Sequence, residues 1–377
     1  MMNVPESIYL FYKADFITFG IRKRFKLNPM TATVLWYLFF NGVLLITAIH
    51  DNIVFSTSSR IGLLNDFGWW IITTLGFNAT FYTFLWLPDG VAKTISGLVQ
   101  NKVIGLPSSH KDQDGKETLD IYIQKFFRSY SNRLWYIIPS VIAIPLLDSL
   151  VQSHRKFLIW ETASNFSFGF TIFLYMFFFF LFVTLLTRVI IVIVWLNKLF
   201  KDFDIDVRVL HPDNAGGLAP LSRFGMAIVY MIVIIAISNV FGDISEAVIT
   251  SKAYIDVVRQ PFVFSTYIAY SVFASLAFFA PLSLAHTSMK KAKNHFITEI
   301  SDQFEIELAN VQTLLAGDNA KLKNSLSKLE ELQKLYNVAS KFPVWPFNIG
   351  NLAGFFGAIV SPFLISLISI VTEQFFK

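Results

Sequence analysis

Residues 165–196 read NFSFGFTIFLYMFFFFLFVTLLTRVIIVIVWL, 32 residues carrying a single charge, Arg188. About 20 apolar residues are enough for a helix to cross a bilayer. This stretch therefore reads as a transmembrane helix that tilts, or that runs on for roughly ten residues past the membrane. Six more apolar stretches accompany it, at 30–49, 69–87, 134–150, 225–241, 262–285 and 349–371. The chain of 377 residues is 54% hydrophobic and 15% charged, and 41 of its residues are Phe. The expected fold is all-α: a polytopic membrane protein of seven transmembrane helices, with long helices extending into a cytoplasmic helical anchor.

Charge in the connections orients the chain. Segments 1–29, 88–133, 197–223 and 286–347 hold 5, 7, 4 and 8 Lys and Arg, whereas 51–68, 151–164 and 242–260 hold 1, 2 and 2. Basic-rich and basic-poor connections alternate without exception. The positive-inside rule then predicts a cytoplasmic N-terminus and, if all seven stretches cross, an extracytoplasmic C-terminus. Lys111 falls inside and Arg155 outside on this count.

The net charge of +5 is not a nucleic-acid signature, because the basic residues sit beside membrane segments, where they meet anionic lipid. With no Cys in the chain, disulfide and thiol chemistry are excluded. No cleavable signal peptide is expected, since the first apolar stretch is a full-length helix preceded by about 29 residues.

Three regions follow: 1–285 with the first six transmembrane helices, 286–347 as a cytoplasmic hairpin and elbow, and 348–377 as the last transmembrane helix. Within 1–29, Ile8, Leu10, Phe11, Phe16, Ile17 and Phe19 lie near Arg22, Lys23, Arg24 and Lys26. This reads either as a short amphipathic helix in the interface or as a helix packed on the protein's own flank. Pro88-Asp89-Gly90 reads as the start of a connection that includes a mobile loop at 108–118. Arg188, near the expected cytoplasmic boundary, either snorkels to the headgroups or meets a buried ionic partner.

Beyond Ala285, apolar residues recur at Met289, Ala292, Phe296, Ile300, Phe304, Leu308, Val311 and Leu315, the spacing of one helical face. Gly317-Asp318-Asn319 gives a stop and a new N-cap. A second amphipathic helix follows, with Leu322, Leu326, Leu329, Leu332 and Tyr336 on one face. So short a turn makes the two helices antiparallel. The hairpin is too small to hold a core alone. It is expected to pack on the fourth helix or on copies of itself.

His211-Pro212-Asp213-Asn214-Ala215-Gly216-Gly217 is the most singular local motif. His211 and Asp213 could serve as an acid–base or metal pair, but no second His lies near in sequence. The structural reading is a tight turn: Pro sets φ, Asp caps, and Gly216 and Gly217 permit positive φ. Phe342-Pro343-Val344-Trp345-Pro346-Phe347 is the second motif. Pro343 and Pro346 break the hairpin helix, and Trp345 suits the headgroup level. It reads as an anchored elbow coupling the hairpin to the last helix.

On a helical wheel of the last segment, Gly350, Gly354, Gly357, Ser361, Ile365, Ile368 and Thr372 share one face. Phe355, Phe356, Phe363 and Leu367 lie opposite. A small-residue face serves close helix packing. Alternatively it lines a pore, with Gly354, Gly357, Ser361, Ile365, Ile368 and Thr372 along the wall, the two isoleucines as a hydrophobic constriction, and Glu373 and Gln374 at the outer mouth.

The plan resembles the seven-transmembrane ion-channel superfamily of insect odorant and gustatory receptors and remote prokaryotic relatives. The resemblance rests on a cytoplasmic N-terminus, long inner helices and a last helix split into a cytoplasmic part, here 319–340, and a membrane part, here 349–371. The Thr372-Glu373-Gln374-Phe375 end matches part of the gustatory receptors' Thr-Tyr…Gln-Phe signature, without its Tyr and spacing. The resemblance implies a homo-oligomeric ion channel, a homotetramer by analogy, and no shared ligand or gating stimulus follows from it. The expectation is a ligand-gated channel with an unknown small-molecule ligand, cation-permeable because Glu373 at the outer mouth favours cations. The alternatives are a membrane sensor or scaffold that does not conduct, and a secondary transporter, which would call for midplane charges and repeated halves. Neither an enzyme nor a cofactor or metal is expected. The expected partners are the bilayer and other copies of the chain, with no nucleic acid.

Overall fold

A computed structural model describes residues 6–58, 60–104, 119–142, 160–203, 205–314, 319–347 and 349–376. Among the described residues eight longer helices order the fold: α1 (Pro29–His50), α2, α3 (Leu119–Tyr130), α4 (Asn165–Asp202), α5 (Ala219–Thr250), α6 (Pro261–Leu314), α7 (Asn319–Ser340) and α8 (Ile349–Phe376). Helix α2 is built from three consecutive pieces, Phe67–Ile71, a π-helical turn Ile72–Phe77, and Asn78–Gln100. Regular structure among the described residues is helical throughout; a single bridge joins Ile104 to Ile205.

Among the described residues five helices, α1, α4, α5, α6 and α8, are long and apolar enough to cross a membrane, so the chain is an all-helical membrane protein. The second apolar stretch lies in the interrupted helix α2, and the third runs into 143–159, outside the described residues. Of the five, α5 is the most enclosed by its own chain and α8 the least. Helix α5 contacts α2, α6 and α8, and α6 also contacts α4. One aromatic-rich core joins them, centred on residues such as Phe84, Leu85, Val192, Val229, Phe278 and Leu282.

Local chemistry explains where helices start. Asn28 caps α1, accepting the Thr31 N–H at 2.7 Å, and Pro29 occupies the first position, where its missing N–H costs nothing. Ser164 caps α4 through the Ser167 N–H at 3.2 Å. Ser251, at φ 52°, ends α5.

Pro88-Asp89-Gly90 does not open a connection: α2 continues through it to Gln100. Leu85, Leu87 and Val91 are fully buried there, and this packing outweighs the roughly 3 kcal/mol that an interior Pro costs a helix. Pro281 is likewise contained within α6, whose 54 residues span about 80 Å at 1.5 Å per residue.

The N-terminal segment is not one amphipathic helix. It is a 3-10 stretch (Glu6–Lys13), one helical turn (Phe16–Thr18) and a π-helical stretch (Phe19–Arg24), packed on the protein's own flank. Phe11, fully buried, meets Phe126, Phe127 and Tyr130 edge-on.

Helices α6 and α7 form the expected hairpin; the turn at 315–318 lies outside the described residues. Ile300 and Val311 on α6 and Ser325 and Ala339 on α7 are buried between the arms. Phe304, Leu322, Leu329 and Leu332 are half-buried. Leu326 and Tyr336 are exposed in the single chain, as are Ile306 and Leu308. The loop at 108–118, Lys111 and Arg155 lie outside the described residues.

Candidate functional site

Helix α8 touches its own bundle along one strip. Phe355 stacks on Phe278 at 4.6 Å and meets Phe279 edge-on at 5.1 Å. Pro362 and Ser366 continue this buried strip, and the Ser366 hydroxyl lies 3.1 Å from that of Tyr254. Phe355, which the wheel groups with the opposite face, is thus the buried anchor of α8. Phe356, Phe363 and Leu367 are exposed.

The small-residue face lies about a third of a turn from this strip, at 100° per residue. Its members divide. A Cβ on Gly354 would sit 3.0 Å from the Tyr230 hydroxyl, so that glycine permits close approach of α5. Ile365 packs against Val240, Val263 and Tyr267. A Cβ on Gly357 would meet nothing within 4 Å, Ile368 is 63% exposed and Thr372 is exposed. Ser361, half-buried, donates its hydroxyl to the Ala358 carbonyl at 2.7 Å. Glu373 is turned toward the connection between α5 and α6, where its carboxylate accepts the Tyr254 N–H at 2.8 Å. Gln374 is exposed.

The two motifs at the other end of α8 meet. In the His-Pro-Asp turn, Asp213 Oδ1 accepts the N–H groups of Ala215 and Gly217 at 2.9 and 3.0 Å, and Oδ2 accepts that of Ala219 at 3.2 Å. His211 Nδ1 lies 2.8 Å from Oδ1. Burial opposes the charge on Asp213, but the Gly217 and Ala215 N–H groups, the His211 ring and the Ala219 N–H outweigh it and hold the carboxyl below its usual range. Gly216 and Gly217 take φ of 65° and 89°, values that side chains disfavour. A Cβ on Gly216 would strike Val207 and sit 3.2 Å from the Phe342 ring, which places the turn directly against the elbow.

The elbow is clamped to α6. His286 stacks on Trp345 at 4.1 Å, and its Nδ1 lies 2.7 Å from the Val344 carbonyl oxygen, so Nδ1 carries the proton and donates. Lys293 donates to the carbonyls of Ser340 and Phe342 at 2.7 and 2.9 Å. Phe278 meets both Phe347 and Phe355. Pro346 is buried and Pro343 half-buried.

Arg188 does not snorkel. Its Nη1 lies 2.8 Å from Asp15 Oδ2, and its Nη2 donates to the Tyr136 hydroxyl at 2.9 Å. The guanidinium also lies 4.7 Å from the ring centre of Phe84 and 4.9 Å from that of Tyr130. Asp15 reaches it as the cap of the turn Phe16–Thr18, accepting the Thr18 N–H at 2.7 Å. A second pair repeats the logic: Arg22 Nη2 donates to Asp89 Oδ2 at 2.6 Å, and the Tyr12 hydroxyl donates to Asp89 Oδ1. A charge on each of two bundle helices is therefore neutralised by the N-terminal segment. A lone Arg in an apolar run pointed to a partner, but nothing in the spacing pointed to Asp15.

Two more polar clusters escaped the sequence reading. Tyr267 of α6 donates to Asp243 of α5 at 2.5 Å, beside the Tyr254–Ser366 contact. At the same end of the bundle, Asp66 caps α2 through the Trp69 N–H at 3.0 Å and accepts the Trp160 indole N–H at 3.1 Å. Glu161 is buried close by. Burial, reinforced by the charge of Asp66 and opposed by a hydrogen bond with Tyr175, pushes its carboxyl up to about 8.

This geometry holds α8 at both ends, by the aromatic elbow at its base and by Tyr254 at its tip, and the described residues leave the side of its middle that carries Gly357 and Ile368 uncovered. No family model, curated protein or solved structure matches the chain.

Proposed function

We propose that this chain is the subunit of a homo-oligomeric, cation-permeable ion channel, a tetramer by analogy with the superfamily its plan resembles, in which α8 of each copy lines the pore. The observation that carries the reading is the part of the small-residue face of α8 that the described residues leave uncovered, at Gly357, Ile368 and Thr372. Among the described residues nothing packs on Gly357, and Ile368 and Thr372 are exposed beside it. Lipid accounts well for exposed Phe356 and Phe363, but a face of Gly, Ser and Thr suits a neighbouring helix or water. In this reading Ile368 narrows the conduit, Ile365 of the expected pair being packed inward on the Val240, Val263 and Tyr267 cluster, and the elbow, clamped between α6 and the His-Pro-Asp turn, passes movement of the hairpin to α8.

The reading includes seven crossings. Helix α2 and the segment after Arg133 add to the five apolar helices, and the basic connections with the hairpin face the cytoplasm. A small-molecule stimulus of unknown identity is part of the proposal.

Ion flux into vesicles reconstituted with the full chain tests it. Ile368→Ser should hydrate the constriction and raise resting leak, while Phe363→Ser, on another face, should not. Normally assembled Ile368→Ser protein that passes no more ions than protein-free vesicles would leave the small-residue face as packing surface and favour a non-conducting sensor or scaffold.

A further inference from the structure

The N-terminal segment is fastened inward by Asp15 to Arg188 and by Arg22 to Asp89. Its outward side is left with a different composition. Phe16, Phe19 and Phe25 are 79%, 42% and 68% exposed. Between and beside them Lys23, Arg24 and Lys26 are exposed, each without an ion-pair partner among the described residues. Asp15 is the one acidic residue of 10–30, and it is turned inward at 2% exposure. The outward side is therefore aromatic and wholly cationic.

Continuity says what covers it. Two residues after Lys26 the cap of α1 begins, and Met30, Leu35 and Leu38 at the start of α1 are exposed as lipid-facing residues of a membrane helix are. A surface this close to the bilayer, with aromatic rings at the depth of the headgroups and cations beside them, complements an anionic lipid layer. We infer that the outward face of 16–26 is a binding site for the headgroups of anionic phospholipid, and that the Arg188–Asp15 and Arg22–Asp89 pairs tie its occupancy to α4 and α2. The inference stands whether or not α8 conducts.

Hydrogen exchange of the full chain in nanodiscs tests it, comparing phosphatidylcholine alone with discs in which roughly a third of the lipid is phosphatidylglycerol. Peptides covering 10–27 should exchange more slowly with phosphatidylglycerol present. The combined variant Lys23→Gln, Arg24→Gln, Lys26→Gln should lose that difference, while Lys321→Gln with Lys323→Gln, on the hairpin, should keep it. Native mass spectrometry should show phosphatidylglycerol retention by the triple variant weakened by on the order of a hundredfold, about fivefold for each surface basic residue. Equal exchange in both lipids, or a triple variant that still responds, overturns the assignment. Protection that follows protein concentration rather than phosphatidylglycerol content also overturns it, because a second copy would then cover the face.

Discussion

Arg188 and Asp15 face each other at 2.8 Å, each side chain only 2% exposed, although 173 residues separate them in the chain. A pair so placed makes the N-terminal segment part of the bundle rather than an appendage. Removing one partner strands the other charge, at a cost of about 3–5 kcal/mol, whereas replacing both by apolar residues is often neutral. Asp15→Asn and Arg188→Met should each lower the thermal midpoint of detergent-solubilised protein by several degrees. The double variant Asp15→Leu, Arg188→Met should recover most of the loss. Additive losses in the double variant would show that the pair is not coupled.

The absence of native Cys makes single-cysteine labelling clean. Thr57→Cys, between α1 and α2, and Lys323→Cys, on α7, are expected on opposite sides of the membrane. In sealed cells a membrane-impermeant maleimide should label Thr57→Cys and spare Lys323→Cys until the cells are opened. Equal labelling before opening would overturn the orientation.

Two hairpin variants separate folding from assembly. Ile300 is buried between α6 and α7, so Ile300→Asp buries an unpaired charge and should misfold the hairpin. Leu326 is 46% exposed in the single chain, and Leu326→Asp should leave the hairpin folded. If copies associate through this face, Leu326→Asp should reduce the oligomer to monomer in size-exclusion chromatography with light scattering. An unchanged oligomer would place the contact elsewhere.

Glu161 predicts a direction with pH. Its carboxyl, raised from 4.5 to about 8 chiefly by burial, holds a proton in the folded state that the unfolded chain has released. Between those values stability should fall as pH rises, by up to about 1.4 kcal/mol per pH unit for one group. Asp66, raised by burial against its hydrogen bonds to Trp69 and Trp160, adds the same sign. Thermal midpoints should therefore be higher at pH 5 than at pH 8. Glu161→Gln, neutral throughout, should flatten the slope; an unchanged slope would locate the titration in another group.

Glu373 has both a charge and a structural contact. Glu373→Gln keeps an acceptor for the Tyr254 N–H, so assembly should persist, while cation selectivity measured by reversal potentials should decrease if α8 lines a pore. Glu373→Ala also leaves that N–H without its side-chain acceptor and should cost about 1 kcal/mol in stability. Unchanged selectivity in Glu373→Gln would remove this residue from any permeation path.

Residues 165–196 alone established a membrane helix longer than the bilayer, and the structure gives it 38 residues. The steps of three and four after Ala285 likewise foretold the long arm of α6, and Gly216-Gly217 a turn with positive φ. These are local properties: helix length, amphipathic period and backbone permissiveness are written in neighbouring residues. The continuation of α2 through Pro88-Asp89-Gly90, the partner of Arg188, the contact of Gly216 with Phe342 and the choice of Phe355 rather than Gly357 as the anchor of α8 were decided only by tertiary structure. Each depends on which distant surface arrives opposite a residue. In a chain whose transmembrane faces are almost uniformly apolar, hydrophobic pattern marks the helices but barely distinguishes their sides. Shape and a few buried charges select the contacts, and those exist only once the helices have packed.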